Sequence, residues 1–208
     1  MTTENKNEIT EKVVEESKTT KPKTTKTRTT RTKKTTTKSK ATIFKELKKN
    51  AKDIDVEVVS LVGGDVIYKS QRNDLDVILI EGVGGSTIVS LATIIDACKK
   101  TENLFSTLAL AITDIMTDDY SKEDILEMLK IKDLYIFDEM VIDTFDDFIL
   151  NTDKSKFETE FNKIENRVIK DRMVERSIAL YREGKLDSNF KQSVLEAYAE
   201  NEYLYKSI

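Results

Sequence analysis

From Lys18 to Lys40 the chain holds ten basic residues, eleven Thr, one Pro and one Ser, with no acid and no hydrophobic side chain. Such a stretch has nothing to bury. Fixing its backbone would cost about 1–2 kcal/mol per residue, and with no apolar burial to offset that cost the expected state is a disordered, solvated arm. Residues 1–17 add Val13 and Val14 in a largely polar run, so residues 1–40 read as one tail. The remainder has the opposite charge, because residues 41–208 carry 33 acidic against 22 basic side chains. The formal net charge of −4 and an isoelectric point near 5.2 therefore conceal a cationic arm on an anionic body.

The arm's cations, Lys18, Lys21, Lys23, Lys26, Arg28, Arg31, Lys33, Lys34, Lys38 and Lys40, are the candidate polyanion-binding residues. Lysines act as point charges and arginines as forks toward phosphate, and their binding releases condensed counterions without reading base sequence. No aromatic residue interrupts the arm, so base stacking has no support. Two other roles stay open: a solubilising leader, and a contact with the acidic body of a neighbouring copy.

Past Asp53 the pattern changes to short apolar runs cut by turn residues. Ile54, Val56 and Val58 alternate with Asp55 and Glu57, the signature of a strand with one buried face. Gly63-Gly64-Asp65 predicts a turn, after which Val66-Ile67-Tyr68-Lys69 is expected to pair back as a hairpin. Leu75 to Ile80 is nearly continuous in apolar character and predicts a strand buried on both faces. Thr87-Ile88-Val89 reads as a further short strand, Leu91 to Cys98 as a helix, and Ala109 to Ile112 as one more buried strand.

The run Asp76 to Gly85, ending Glu81-Gly82-Val83-Gly84-Gly85, resembles the second nucleotide-site loop of dethiobiotin synthetase. A phosphate-cradling fold of that kind also needs a Gly-rich loop ending in Lys-Ser/Thr, and no such motif occurs in the chain. Gly63-Gly64 is followed by Asp65, whose charge repels phosphate. The glycine run is accordingly read as a structural turn.

From about residue 116 onward the pattern is helical. Ser121 and Asp124 have the spacing of a helix-start box. Apolar stripes follow at Ile125/Met128/Leu129, Val141/Phe145/Phe148/Ile149 and Phe157/Phe161/Ile164/Val168. A long helix running to Tyr181 is expected to stop near Gly184, and Asp187 or Ser188 to cap a last helix carrying Phe190, Val194 and Tyr198. The apolar end Tyr203-Leu204-Tyr205 is a candidate contact for another subunit, or else a local packing lid. The expected fold class is α+β: a disordered basic arm over residues 1–40, a small, mostly antiparallel sheet domain with one helix over 41–115, and a helical domain over 116–208 ending in an αα-hairpin.

Catalytic chemistry finds few residues. The chain has no histidine, which removes the common nucleophile triads and the commonest transition-metal ligand. Its single cysteine, Cys98, follows Ile94-Ile95-Asp96-Ala97 and reads as a packed residue, compatible with a reducing compartment. Asp143-Thr-Phe-Asp146-Asp147 lacks the glycine and closing glutamate of a calcium loop, and Asp146 and Asp147 read as the solvated face of the Phe145/Phe148 helix. No catalytic residue, metal site or cofactor is expected. The N-terminus lacks a secretory pattern, and no segment supplies about 20 apolar residues for a membrane span, so the expected product is soluble and intracellular when made, with no membrane partner.

The order of parts resembles a family of uncharacterised proteins encoded among the virion genes of tailed bacteriophages. The resemblance lies in the Lys/Thr-rich tail, the strand Val56-x-Val58-Val59-Ser60-Leu61, the glycine turn and the Tyr-containing Val66-Ile67-Tyr68-Lys69-Ser70. It continues through Ile125-Leu126-x-x-Leu129-x-Ile131-x-x-Leu134-Tyr135 to the hairpin link Glu183-Gly184-Lys185-Leu186-Asp187-Ser188. This chain departs from the family in having no tryptophan and in carrying Gly82-Val83-Gly84-Gly85 where the family has a simpler Gly-Asp corner. The resemblance implies a non-enzymatic structural or assembly protein of the virion, in contact with copies of itself or other virion proteins and, through the arm, with DNA. A free nucleic-acid-binding accessory protein of the infected cell is the alternative.

Overall fold

The computed structural model describes residues 39–72, 74–99 and 103–206. The arm cations from Lys18 to Lys38, and the expected disorder of that stretch, lie outside the described residues.

Ser39 opens the first element, α1 (Lys40–Lys49), by accepting the Thr42 amide on its hydroxyl. Lys48 and Lys49 occupy the last turn, where cations complement the negative end of the helix dipole. Leu47 is fully buried and Ile43 and Phe44 pack beside it. The tail therefore gives way to helix at its last residue, a boundary the sequence pattern leaves unmarked.

Strand β1 (Asp55–Ser60) is the centre of a three-stranded antiparallel sheet, flanked by β4 (Ser86–Ser90) and β5 (Leu110–Ile115). β2 (Val66–Lys69) pairs with β3 (Val77–Ile80) in a separate two-stranded ribbon. This corrects the expected hairpin of β2 back onto the first strand: both edges of β1 are already taken by β4 and β5. The ribbon also corrects the reading of β3 as buried on both faces. Ile78 and Ile80 point into the core, whereas Val77 and Leu79 are 47% and 53% exposed, because a ribbon laid on a core buries only its inner face. The free edge of β5 is covered locally, since the buried Tyr135 hydroxyl accepts the Ile112 amide at 2.7 Å.

α2 (Leu91–Ala97) follows β4 directly. Its start is held from a distance by Asp76, whose Oδ2 accepts the Ser90 amide at 2.8 Å and the Thr93 hydroxyl at 3.2 Å. α3 (Lys122–Leu129) begins with the expected box, Ser121 and Asp124 each accepting the other's amide. α4 (Ile142–Asn151), α5 (Lys154–Lys163), α6 (Arg167–Arg182) and α7 (Asn189–Ala199) complete the chain. The third apolar stripe is divided between two helices, because α5 ends at Lys163, with Ile164 at its C-cap, and Asn166 caps α6 through the Val168 amide. Gly184, at φ 71°, ends the α6 run with Lys185 N–H on Leu180 O and Gly184 N–H on Tyr181 O. Ser188 caps α7, so α6 and α7 form the expected hairpin. The chain is α+β, with small antiparallel sheets followed by a helical C-terminal region, and one core runs from Leu47 through the strands to Leu195.

In the helical half a file of rings, Phe145, Phe137, Phe148, Phe157, Phe161 and Tyr198 in order of contact, joins α4, α5 and α7 with successive centroids 5.3 to 6.1 Å apart. Asp146 is a correction to the solvated-face reading: its carboxylate takes a two-pronged grip from Arg176 of α6 at 2.5 and 2.6 Å. Asp147 does face solvent and accepts from Asn151. No helix among the described residues is long and apolar enough to cross a membrane.

Candidate functional site

Of the ten arm cations only Lys40 is described, at the start of α1, where its ammonium meets Glu127 of α3 at 2.5 Å. The basic character continues beyond it. α1 also carries Lys45, Lys48 and Lys49 against one acid, Glu46, and Lys52 follows three residues after its end.

At that end the fold gathers side chains distant in sequence. Lys48, Lys49, Lys52, Arg72 and Lys99 line a concavity of about 330 Å³ over Ala51, Ala92 and Ile95. The floor exists because the segment that follows α1 is stitched to the start of α2, Ala92 N–H donating to Ala51 O at 2.8 Å and Leu91 N–H to Ile54 O at 2.8 Å. Two carboxylates serve the rim. Asp74 accepts from Arg72 Nε and Nη2 at 3.1 and 2.9 Å and from Lys52 Nζ at 2.8 Å, which holds its carboxyl well below the usual range. Asp96 accepts from Lys99 at 2.7 Å, from Ser70 at 2.5 Å and from Tyr68 at 2.9 Å, and these donors hold its pKa down at about 2. Sequence reading missed this group because it counted charge along the arm, and a lysine pair at a helix end resembles any solvated surface.

A larger groove of about 950 Å³ between α6 and α7 is acidic, with Glu165, Asp171, Glu175 and Glu200 set against Arg167 and Lys170. Tyr198 donates to Asp171 at 2.9 Å, and Lys170 lies over the rings of Phe161 and Tyr198.

The C-terminal trio divides. Tyr205 is 3% exposed, its hydroxyl 2.7 Å from that of Ser177 and its ring against Tyr181, so it serves as a lid within the chain rather than as an outward contact. Leu204 is half-buried and Tyr203 remains 65% exposed. The outward apolar surface of the sheet region includes Ile88 of β4 and the β2–β3 ribbon, where Ile67 stands opposite Leu79 and Lys69 opposite Val77.

The glycine run is engaged in the fold. Gly82 donates its amide to Asp65 Oδ1 at 3.2 Å and Gly84 donates to Ser60 O at 2.9 Å, so two amides that a phosphate cradle needs already have partners, one of them a carboxylate. A Cβ at Gly85 would fall 2.6 Å from Glu81 O, which explains the glycine there without a ligand. Burial pushes the Cys98 thiol up to about 12, which keeps it protonated and unreactive at neutral pH. Among the described residues no group of three or more His, Cys, Asp or Glu is placed to hold a metal ion.

Compared with protein-family models, curated proteins and solved structures, the chain gives no match.

Proposed function

We propose that this chain is a non-enzymatic structural or assembly protein of a bacteriophage particle, made in the host cytoplasm and carried in the virion. Its acidic body packs against copies of itself or other virion proteins, and its basic arm reaches DNA or an acidic neighbour. The observation that carries the reading is the segregation of charge: ten cations and no acid between Lys18 and Lys40, against 33 acidic and 22 basic side chains in residues 41–208. The resemblance of the part order to tailed-phage virion proteins supplies the setting. The engaged glycine amides and the protonated Cys98 support a non-catalytic role. The apolar outer face of Ile67, Val77 and Leu79 supports packing against a second copy.

Size-exclusion chromatography with light scattering on the full chain tests this. A discrete oligomer, loosened by Leu79→Lys, is the expected result. A monomer at every concentration would move the assignment to a free nucleic-acid-binding accessory protein of the infected cell, a reading that the cations at the end of α1 favour.

A further inference from the structure

The concavity at the end of α1 is rich in cations. Five cationic side chains converge on it against two carboxylates, on a body whose overall charge is negative. Lys48 and Lys49 are exposed and make no ion pair among the described residues. The Asp74 carboxylate, gripped at once by Arg72 and Lys52, demonstrates that these donors reach a single oxyanion. That grip is exchangeable, because Asp74, Arg72 and Lys52 are all about half exposed and solvent-exposed pairs of this kind hold weakly. A more highly charged anion can therefore displace the carboxylate.

We infer that this concavity is a phosphate-binding site for closely spaced phosphate groups, those of a nucleic-acid strand or of a free polyphosphate chain. Cations distributed along a rim suit several neighbouring phosphates better than one carboxylate. The floor of Ala51, Ala92 and Ile95 is small and apolar, and no aromatic side chain lines it, so a strand is held by its backbone and its bases are not read. The inference deepens the polyanion-binding part of the proposed function, yet it rests on body residues alone.

The test uses amide-correlation NMR on the isotope-labelled full chain, titrated separately with inorganic tripolyphosphate and with a short mixed-sequence DNA duplex. Both are expected to shift the amides of Ala51, Lys52, Arg72, Ile95 and Lys99. In Lys48→Gln/Lys49→Gln those shifts weaken, and the slope of log K against log salt for the duplex becomes shallower by about 0.9 for each phosphate that is no longer neutralised. Lys154→Gln/Lys156→Gln, which removes equal charge from exposed positions of α5 outside the concavity, leaves both readouts unchanged. Shifts with tripolyphosphate alone assign the site to free polyphosphate. Such shifts without any duplex binding would uphold the site while defeating the DNA-tether reading of the arm. A duplex that perturbs only residues before Lys40, with tripolyphosphate leaving the concavity unmoved, would overturn the site and leave the arm reading intact.

Discussion

Asp96 joins two otherwise separate pieces, since its carboxylate receives Tyr68 and Ser70 from the ribbon and Lys99 from the end of its own helix. Those donors favour the ionised form, and the pKa falls to about 2, below the unfolded value of about 3.9. For a carboxylate lowered on folding, the stabilisation is fully present above the unfolded pKa and is lost as pH falls through the folded one. Denaturant unfolding of wild type and Asp96→Asn should therefore show a stability gap that is constant above about pH 5 and closes between about pH 4 and about pH 2. A gap independent of pH would contradict this assignment. Lys191 is a second buried polar anchor: it is 3% exposed, donates to Ile149 O and Leu150 O at 2.8 Å each, and lies over the Phe157 ring. It supplies from α7 the cation that the last turn of α4 lacks.

Between elements, the strongest polar tie is the two-pronged Arg176–Asp146 pair that links α6 to α4, with side chains only 10% and 20% exposed. Removing one partner strands a largely desolvated charge. Arg176→Met is expected to cost about 3 kcal/mol, and the double change Arg176→Met/Asp146→Leu to recover most of it. Equilibrium denaturation of both variants measures this, and a double variant no better than the single one would sink the argument. Asp146 also marks where sequence reading stops. The Ser121/Asp124 box, the Gly184 stop and the Ser188 cap were legible because each is complete within a few residues. The partner of Asp146 lies 30 positions away. The choice of β4 and β5 over β2 as partners of β1 is likewise a competition for edges, which no window of neighbouring residues records. The candidate site divides in the same way. The arm announces itself by composition, whereas the cations of the concavity come from α1, the β2–β3 turn and the end of α2, and only folding assembles them.

At the scale of the whole molecule, the proposed function assigns separate tasks to two oppositely charged parts: a body with its own core, and an arm whose composition suits electrostatic attachment. Counterion release makes that attachment depend steeply on salt, with each neutralised phosphate contributing about 0.9 to the slope of log K against log salt on duplex DNA. The most direct test is to measure that slope for the full chain and for a chain lacking residues 1–39. The account predicts a steep slope for the full chain and a much shallower one, with weaker binding, for the truncated chain. Equal slopes and equal affinities would contradict the claim that the arm is the principal polyanion tether.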